Sequence, residues 1–353
     1  MFSNEFLWQV FSLSAEMDPL FRDKHDRFPI SQAIHNVTEP IVSEKLLELG
    51  WRPTYPNDAP YAVVISHDID FIYKRTEAQP LSEALKDLLK FILKGKVPTI
   101  SSFNSSLNSQ CELKWPVETV HDCLKAKKIP STYYFMCLEK GDEDYNYNFS
   151  ELYSIVNKLI ESGSEVGLHG GHTAYKSLVD MQSQLHELKR NIGLKRVGYR
   201  NHFLKFNLKS FELMESAGFR TDSTLGFAET TGFRNGMAHP FRPYNHQNDS
   251  FFRLVEIPLI MMDQTLYKYM NLSSAETLDV AKKMIEKVAK VSGVFTLLWH
   301  NTNFNGRKLE DFEQIVDSMI SDKAWFCTAN ELVDWYEKNN FFRTQTELLN
   351  SLR

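Results

Sequence analysis

The stretch YAVVISHDID, residues 61–70, decides the fold. Its first half is continuously apolar and rich in β-branched residues, which is how a strand buried on both faces of a parallel sheet reads. Its second half places His67, Asp68 and Asp70 at the carboxyl end of that strand. In a β/α barrel this end meets the loops that build the working face. Asp68 and Asp70 stand two residues apart, so on an extended chain they point to the same side. Two such carboxylates repel unless a cation or an arginine offsets them, or one is protonated. Following an apolar strand and next to His67, the pair is better explained by a metal ion than by a loop cap.

Runs of the same kind recur downstream: STYYFMCL (131–138), SEVGLHG (164–170), VGYRNHF (197–203), RTDST (220–224), LVEIPLI (254–260), VFTLLWH (294–300) and AWFCTA (324–329). Between them lie amphipathic patterns: LSEALKDLLKFILK (81–94), NFSELYSIVNKLIESG (148–163), SLVDMQSQLHELKRNIG (177–193) and SSAETLDVAKKMIEKVAKVSG (273–293). The last three close on glycine, which tolerates the left-handed conformation at a helix end, and the fourth opens on a serine N-cap. Strand alternating with helix means a parallel sheet. Seven or eight such units imply closure into a distorted (β/α) barrel, an open doubly wound sheet being the other arrangement. Residues 1–60 differ, with the polar turn RDKHDRFP (22–29) and a short helix in IVSEKLLELG (41–50). They read as an N-terminal arm packed on a barrel that spans 61–353. The serine- and asparagine-rich segment 93–110 reads as a loop.

Bulk properties narrow the function. Of 353 residues 42% are hydrophobic and 24% charged, an ordinary globular balance. A net charge of −5 gives no basic face for nucleic acid. No apolar run approaches the ~18 residues of a membrane span. The opening MFSNEFLWQVF lacks the pattern of a signal peptide, so a cytoplasmic protein is expected. The four cysteines form no C-x-x-C pair and read as free thiols of a reducing compartment.

Further candidates sit at strand ends: His169 before Gly170-Gly171, then His172, Arg200, His202, Asp222, Asp263 and His300. A neutral imidazole beside carboxylates suits zinc or a similar first-row ion, whose catalytic sites use three protein ligands and an open water position. Asp70 and His169 supply two ligands, and His172, His202 or neither supplies the third. His300 suits a general acid whose charge a carboxylate such as Asp263 supports, or else a buried structural histidine. Arg200 is a fixed positive charge that orients Asp68, or a structural ion pair. Phe71, Tyr73, Tyr175, Phe203 and Trp299 are aromatic candidates for the mouth, where a sugar ring would stack.

In order, SHDID, GLHGGH, YRNHF, EIPLIMMD and LLWHN resemble the five motifs of the polysaccharide deacetylases, family four of the carbohydrate esterases. With RDKHDRFP, GYRNHFLKF and DSTLGFAETTGFRNG, the chain looks like an uncharacterised bacterial branch of that family, from residue 61 to the C-terminal region. The resemblance implies a hydrolase that uses one divalent ion, zinc with cobalt or nickel as alternatives, to remove an N-acyl group, normally acetyl, from an amino sugar in a glycan or a glycan precursor. It implies Asp68 as general base, Asp70 and His169 as metal ligands, Arg200 as the residue that holds the base, Asp263 as the tuner of the acid, and His300 as that acid. The sequence departs from the family in two places. Asp70 is one residue farther from Asp68 than in the family's adjacent pair. Thr173 occupies the family's usual second-histidine position, and His202 stands where a proline is usual. The partner implied is a carbohydrate, with no nucleic acid and no membrane span; the sequence does not set the oligomeric state. Three other readings remain: a deformylase or deacylase of a nucleotide- or lipid-linked sugar, a non-catalytic carbohydrate-binding or scaffold protein on the same barrel, and an unrelated β/α-barrel metal hydrolase.

Overall fold

The computed structural model describes residues 2–72 and 117–353. The helix of 81–94, the loop of 93–110, Tyr73 and Cys111 therefore lie outside the described residues. The strands are β1 (Ala62–Ile69), β2 (Thr132–Phe135), β3 (Glu165–Gly170), β4 (Gly198–Asn201), β5 (Thr221–Asp222) and β6 (Tyr244–Asn245). They continue with β7 (Ser250–Phe251), β8 (Val255–Glu256), β9 (Met261–Met262), β10 (Val294–Leu298) and β11 (Trp325–Phe326).

The sheet runs β8-β5-β4-β3-β2-β1-β10-β9, with β11 also paired to the start of β1. Every ladder in it is parallel. Among the described residues no ladder joins the edge strands β8 and β9, so the sheet curls into a half-barrel. The distorted barrel inferred from strand–helix alternation is what forms. All eight residues of β1 are buried, the apolar residues 62–65 and the polar Ser66, His67 and Asp68 alike. A separate antiparallel ribbon, β6 with β7, has no counterpart among the sequence-derived strands.

The helices are α1 (Asn4–Phe11), α2 (Ile41–Glu48), α3 (Val117–Ala126), α4 (Tyr153–Glu161), α5 (Leu178–Ile192) and α6 (Lys209–Ala217). Then follow α7 (Ser274–Lys290), α8 (Gly306–Ser321), α9 (Ala329–Lys338) and α10 (Phe341–Asn350). The cap signals hold at three ends. Ser273 and Glu276 form a reciprocal capping box on α7, and Gly163 and Gly193 take the left-handed conformation after α4 and α5. At the far end of α7 the left-handed residue is Ser292 (φ 51°), not Gly293. Gly293 serves a close approach instead, because a Cβ there would lie 2.7 Å from the Ala238 carbonyl oxygen.

The first sixty residues join the barrel's own core. Leu7, Val10, Phe11, Val42 and Leu46 belong to the same buried cluster as β1 and β10, at about 1.5–3 kcal/mol for each side chain fully buried. Arg234 grips Glu16 through Nε (2.8 Å) and Nη2 (2.5 Å) in a buried bidentate pair. Cys123, Cys137 and Cys327 are free thiols. Among the described residues no helix is long and apolar enough to cross a membrane.

Candidate active site

Parallel register sets the first half of the site. β3 and β4 align His169 with Arg200, and β1 carries Asp68 and ends at Ile69, beside Asp70. Arg200 is fully buried, and each of its nitrogens has a partner. Nη1 donates to Asp68 Oδ1 (3.0 Å) and Ser66 Oγ (2.8 Å), Nε to the Ser223 carbonyl (2.9 Å), and Nη2 to Ser223 Oγ (2.9 Å). The guanidinium also lies over the Tyr134 ring at 4.6 Å. Removing one partner of a buried pair like Asp68–Arg200 strands the other charge, at roughly 3–5 kcal/mol.

Asp70, His169 and His202 form the group that could hold a metal ion, their donor atoms all within 4.8 Å of one another. His169 Nδ1 lies 3.0 Å from the Arg200 carbonyl, which can only accept, so Nδ1 carries a hydrogen and Nε2 faces the cluster. That Nε2 sits 3.0 Å from Asp70 Oδ1. Both atoms are buried without an aligned hydrogen-bond partner. His202 is arranged alike: Nδ1 faces Asp144 Oδ2 at 2.9 Å, and Nε2 faces Asp70 Oδ2 at 3.7 Å.

His300 approaches from the other side. Its Nδ1 is 2.6 Å from Asp263 Oδ1 and its Nε2 is 3.6 Å from Asp70 Oδ2. Asp263 is held in turn by the His300 backbone N–H (2.8 Å) and Asn303 Nδ2 (2.7 Å). Burial alone would strip the His300 proton, but the Asp263 carboxylate, aided by Asp70 and Asp68, lifts its pKa to about 10. His202 is pushed up to about 9 in the same way, Asp70 and Asp144 outweighing burial. Asp70 moves oppositely: burial would raise it, yet His202, His169 and His300 hold it well below the usual carboxylate range.

His172, the other ligand the sequence offers, stands outside the group. Lys205 Nζ approaches its Nε2 at 2.5 Å, while Asp144 and Glu143 flank it at 3.4 Å. The backbone explains the divergence. Gly170 packs so tightly under Tyr199 that a Cβ would lie 2.0 Å from its Oη, and the Gly171 N–H is bonded to Gln184 of α5 at 3.0 Å. His202 is turned in because Phe203 (φ 59°) and Leu204 (φ 54°) reverse the chain directly after it.

Other expected residues lie apart from the cluster. Buried Asp222 faces Thr224 and Glu256. Burial drives the His67 pKa down to about 4, and its Nδ1 bonds the Trp299 carbonyl at 2.8 Å. Trp299 is fully buried, and Tyr175 is bonded to Asp26 of the arm. Among the described residues of that set, Phe71 is exposed and Phe203 partly so. Sequence reasoning missed Asp144 and Lys205. Asp144 lies in the acidic run GDED after β2, where nothing separates it from Asp142 or Glu143. Its only clue is its place in a loop beyond a strand's carboxyl end. Tyr147 pins that loop, its hydroxyl bonding the Ile69 carbonyl (2.6 Å) and the Met136 N–H (2.9 Å).

Over 82% of its length the chain is similar to a Mycobacterium smegmatis protein assigned as a polysaccharide deacetylase, covering 94% of that protein with a TM-score of 0.54 and 16% identity. The fold is that of a polysaccharide deacetylase. A polysaccharide deacetylase of Bacillus cereus aligns at a TM-score of 0.39 and 10% identity, over 76% of this chain and 91% of that one. A CE4-family pseudoenzyme of Bacillus anthracis aligns at 0.38 and 10%, over 80% and 67%. No family model and no curated protein matches the chain. Within the polysaccharide-deacetylase fold, the five sequence motifs fall at or just beyond the ends of β1, β3, β4, β9 and β10.

Proposed function

We propose that the chain is a metal-dependent hydrolase that removes an N-acyl group, acetyl in the first instance, from an amino sugar of a glycan or glycan precursor. The observation that carries this reading is the buried Asp70–His169–His202 donor set, flanked by an Arg200-bound Asp68 and an Asp263-bound His300.

The residues fit a divalent cation. Two imidazoles and a carboxylate suit zinc, with cobalt and nickel as chemically similar alternatives. Asp70 Oδ1 and His169 Nε2 face each other at 3.0 Å, buried and without an aligned hydrogen bond, and a cation would satisfy both. Held by Asp70, His169 and His202, such an ion would supply Lewis acidity for the acyl carbonyl and for a water.

The chain's own groups supply the rest. Asp68 keeps Oδ2 free of Arg200 and turned towards His169 at 3.7 Å, so it takes the proton of the attacking water. The water oxygen bonds to the acyl carbon and the carbon–nitrogen bond breaks. His300, its Nδ1–H committed to Asp263, delivers the Nε2 proton to the departing amine nitrogen. Free acid and free amine result. Phe71, exposed, offers a ring face for the sugar. Among the described residues a groove of about 740 Å³ opens beside Asp144 and His172, but Asp68, Asp70, His169, His202 and His300 do not line it.

The test is metal content by mass spectrometry on protein purified without chelators. One first-row ion per chain in the wild type, lost in Asp70→Ala and His169→Ala, is the expected result. A wild type that stays metal-free after incubation with zinc or cobalt sinks the reading.

A further inference from the structure

The turn RDKHDRFP, residues 22–29, lies far from every motif in sequence, yet it is built against the loop that carries His202. Asp23 closes the turn on itself. Its Oδ1 accepts from the backbone N–H groups of His25 (2.8 Å) and Arg27 (3.0 Å), and its Oδ2 accepts from Arg27 Nε (2.8 Å). With its guanidinium so aimed, Arg27 donates through Nη1 to the Phe203 carbonyl at 3.1 Å and through Nη2 to the Tyr269 hydroxyl at 3.4 Å. Arg22 Nη1 adds a bond to the Phe206 carbonyl at 3.2 Å.

The rings continue the contact. His25 stacks on Phe203, with centroids 4.7 Å apart and planes within 15°. Phe203 in turn stacks on His202 at 3.9 Å and 27°. Phe203 has a left-handed backbone, which a bulky non-glycine residue holds only when its surroundings enforce it. The surroundings here are Arg27 on its carbonyl and His25 on its ring.

We infer that the arm turn is a positioning element of the metal centre: Arg27 and His25 lock Phe203 in its left-handed conformation, and Phe203 holds the His202 imidazole in the plane that points Nε2 at Asp70 and His169. This rests on the reading of that cluster as a metal site. Arg27 also touches Tyr269, which belongs to the turn beyond Asp263, so one side chain of the arm ties the ligand loop to the segment that follows the acid's partner. Free of these ties, His202 would sample other rotamers and the third ligand would have to be ordered at each binding event. Outer partners of this kind typically change metal affinity about 10- to 100-fold.

The experiment titrates metal-free, full-length protein with zinc against a chromophoric chelator and records the visible spectrum of the cobalt form. The variants are Arg27→Met, His25→Leu and, as a control on the same turn, the exposed Lys24→Ala. Arg27→Met should weaken zinc about tenfold and alter the cobalt bands, and His25→Leu should do so about threefold; Lys24→Ala should match the wild type. Arg27→Lys, which restores a charge without the fork, should recover only part of the affinity. If Arg27→Met lowers the melting temperature of the metal-free protein, His25→Leu alone decides. Wild-type affinity and spectrum in the variants overturn the arm's role and leave the metal site standing. A wild type that takes up no metal overturns the site itself.

Discussion

Strand-borne and loop-borne residues divide this site in two. Asp68, His169 and Arg200 are placed by sheet register: once β1, β3 and β4 pair in parallel, their positions follow, and the Asp68–Arg200 contact at 3.0 Å closes on 132 residues of separation. His202, Asp144 and His172 depend on turns. A left-handed pair at Phe203–Leu204 brings one histidine in, and the Gly170–Gly171 backbone carries the other out to Lys205. The strand half is over-determined by the ladder, whereas the loop half is only as fixed as the side chains packed against it.

The largest test of that contrast is Asp68→Asn. On the proposed mechanism, turnover of an N-acetylated amino-sugar oligomer should fall by about 10³ or more, since the proposed general base is lost, while bound zinc stays near one per chain. Full activity would remove Asp68 from its role. Next come the two histidines. His202→Ala should weaken zinc about 100-fold or more, and His172→Ala by less than about threefold. Equal losses in a chelator competition would erase the distinction between inward and outward loops.

Proton linkage gives a sharper probe. His202 sits near 9 in the metal-free pocket and must be neutral to bind a cation. Zinc affinity should therefore climb about tenfold per pH unit between roughly 6.5 and 9, flattening above. A flat profile over that range would take His202 out of the ligand set. The same raised pKa values act on stability. His202 and His300 stabilise the metal-free fold fully below their unfolded value and stop doing so as pH rises through about 9 and about 10. The melting temperature without metal should decline over that window.

Two smaller effects separate the partners. Asp144→Asn should cost about tenfold in zinc affinity through a loosened His202. Asp263→Asn removes the charge that props up His300, so the alkaline limb of the kcat profile should move to lower pH. A limb that stays in place would assign it to another group.

What the sequence made legible follows the same division. Apolar runs ending in Asp68, His169, Arg200 and His300 announced both the parallel sheet and the residues at its mouth, because burial on two faces leaves a strong pattern. The barrel's incomplete closure was not readable, as β5, β8 and β9 are two-residue strands whose pairing depends on tertiary context. Nor was the choice between His172 and His202, since two consecutive left-handed residues at Phe203 and Leu204 have no signature when neither is glycine. Asp144 was invisible for a simpler reason: it is one acid among three, and only the fold selects it.

The place of β1 has a consequence for how the chain is made. It pairs with β2 on one side and with β10 on the other, and His67 bonds the carbonyl of Trp299, 232 residues later. At about 5–20 residues per second, the ribosome needs roughly 10–50 s to deliver that partner. For that interval AVVIS has an open edge, and Asp68 and Asp70 wait without His300. Newly made chain should thus depend on holdase-type chaperones until β10 has emerged, and truncated chains that end before β10 should aggregate instead of forming half a site.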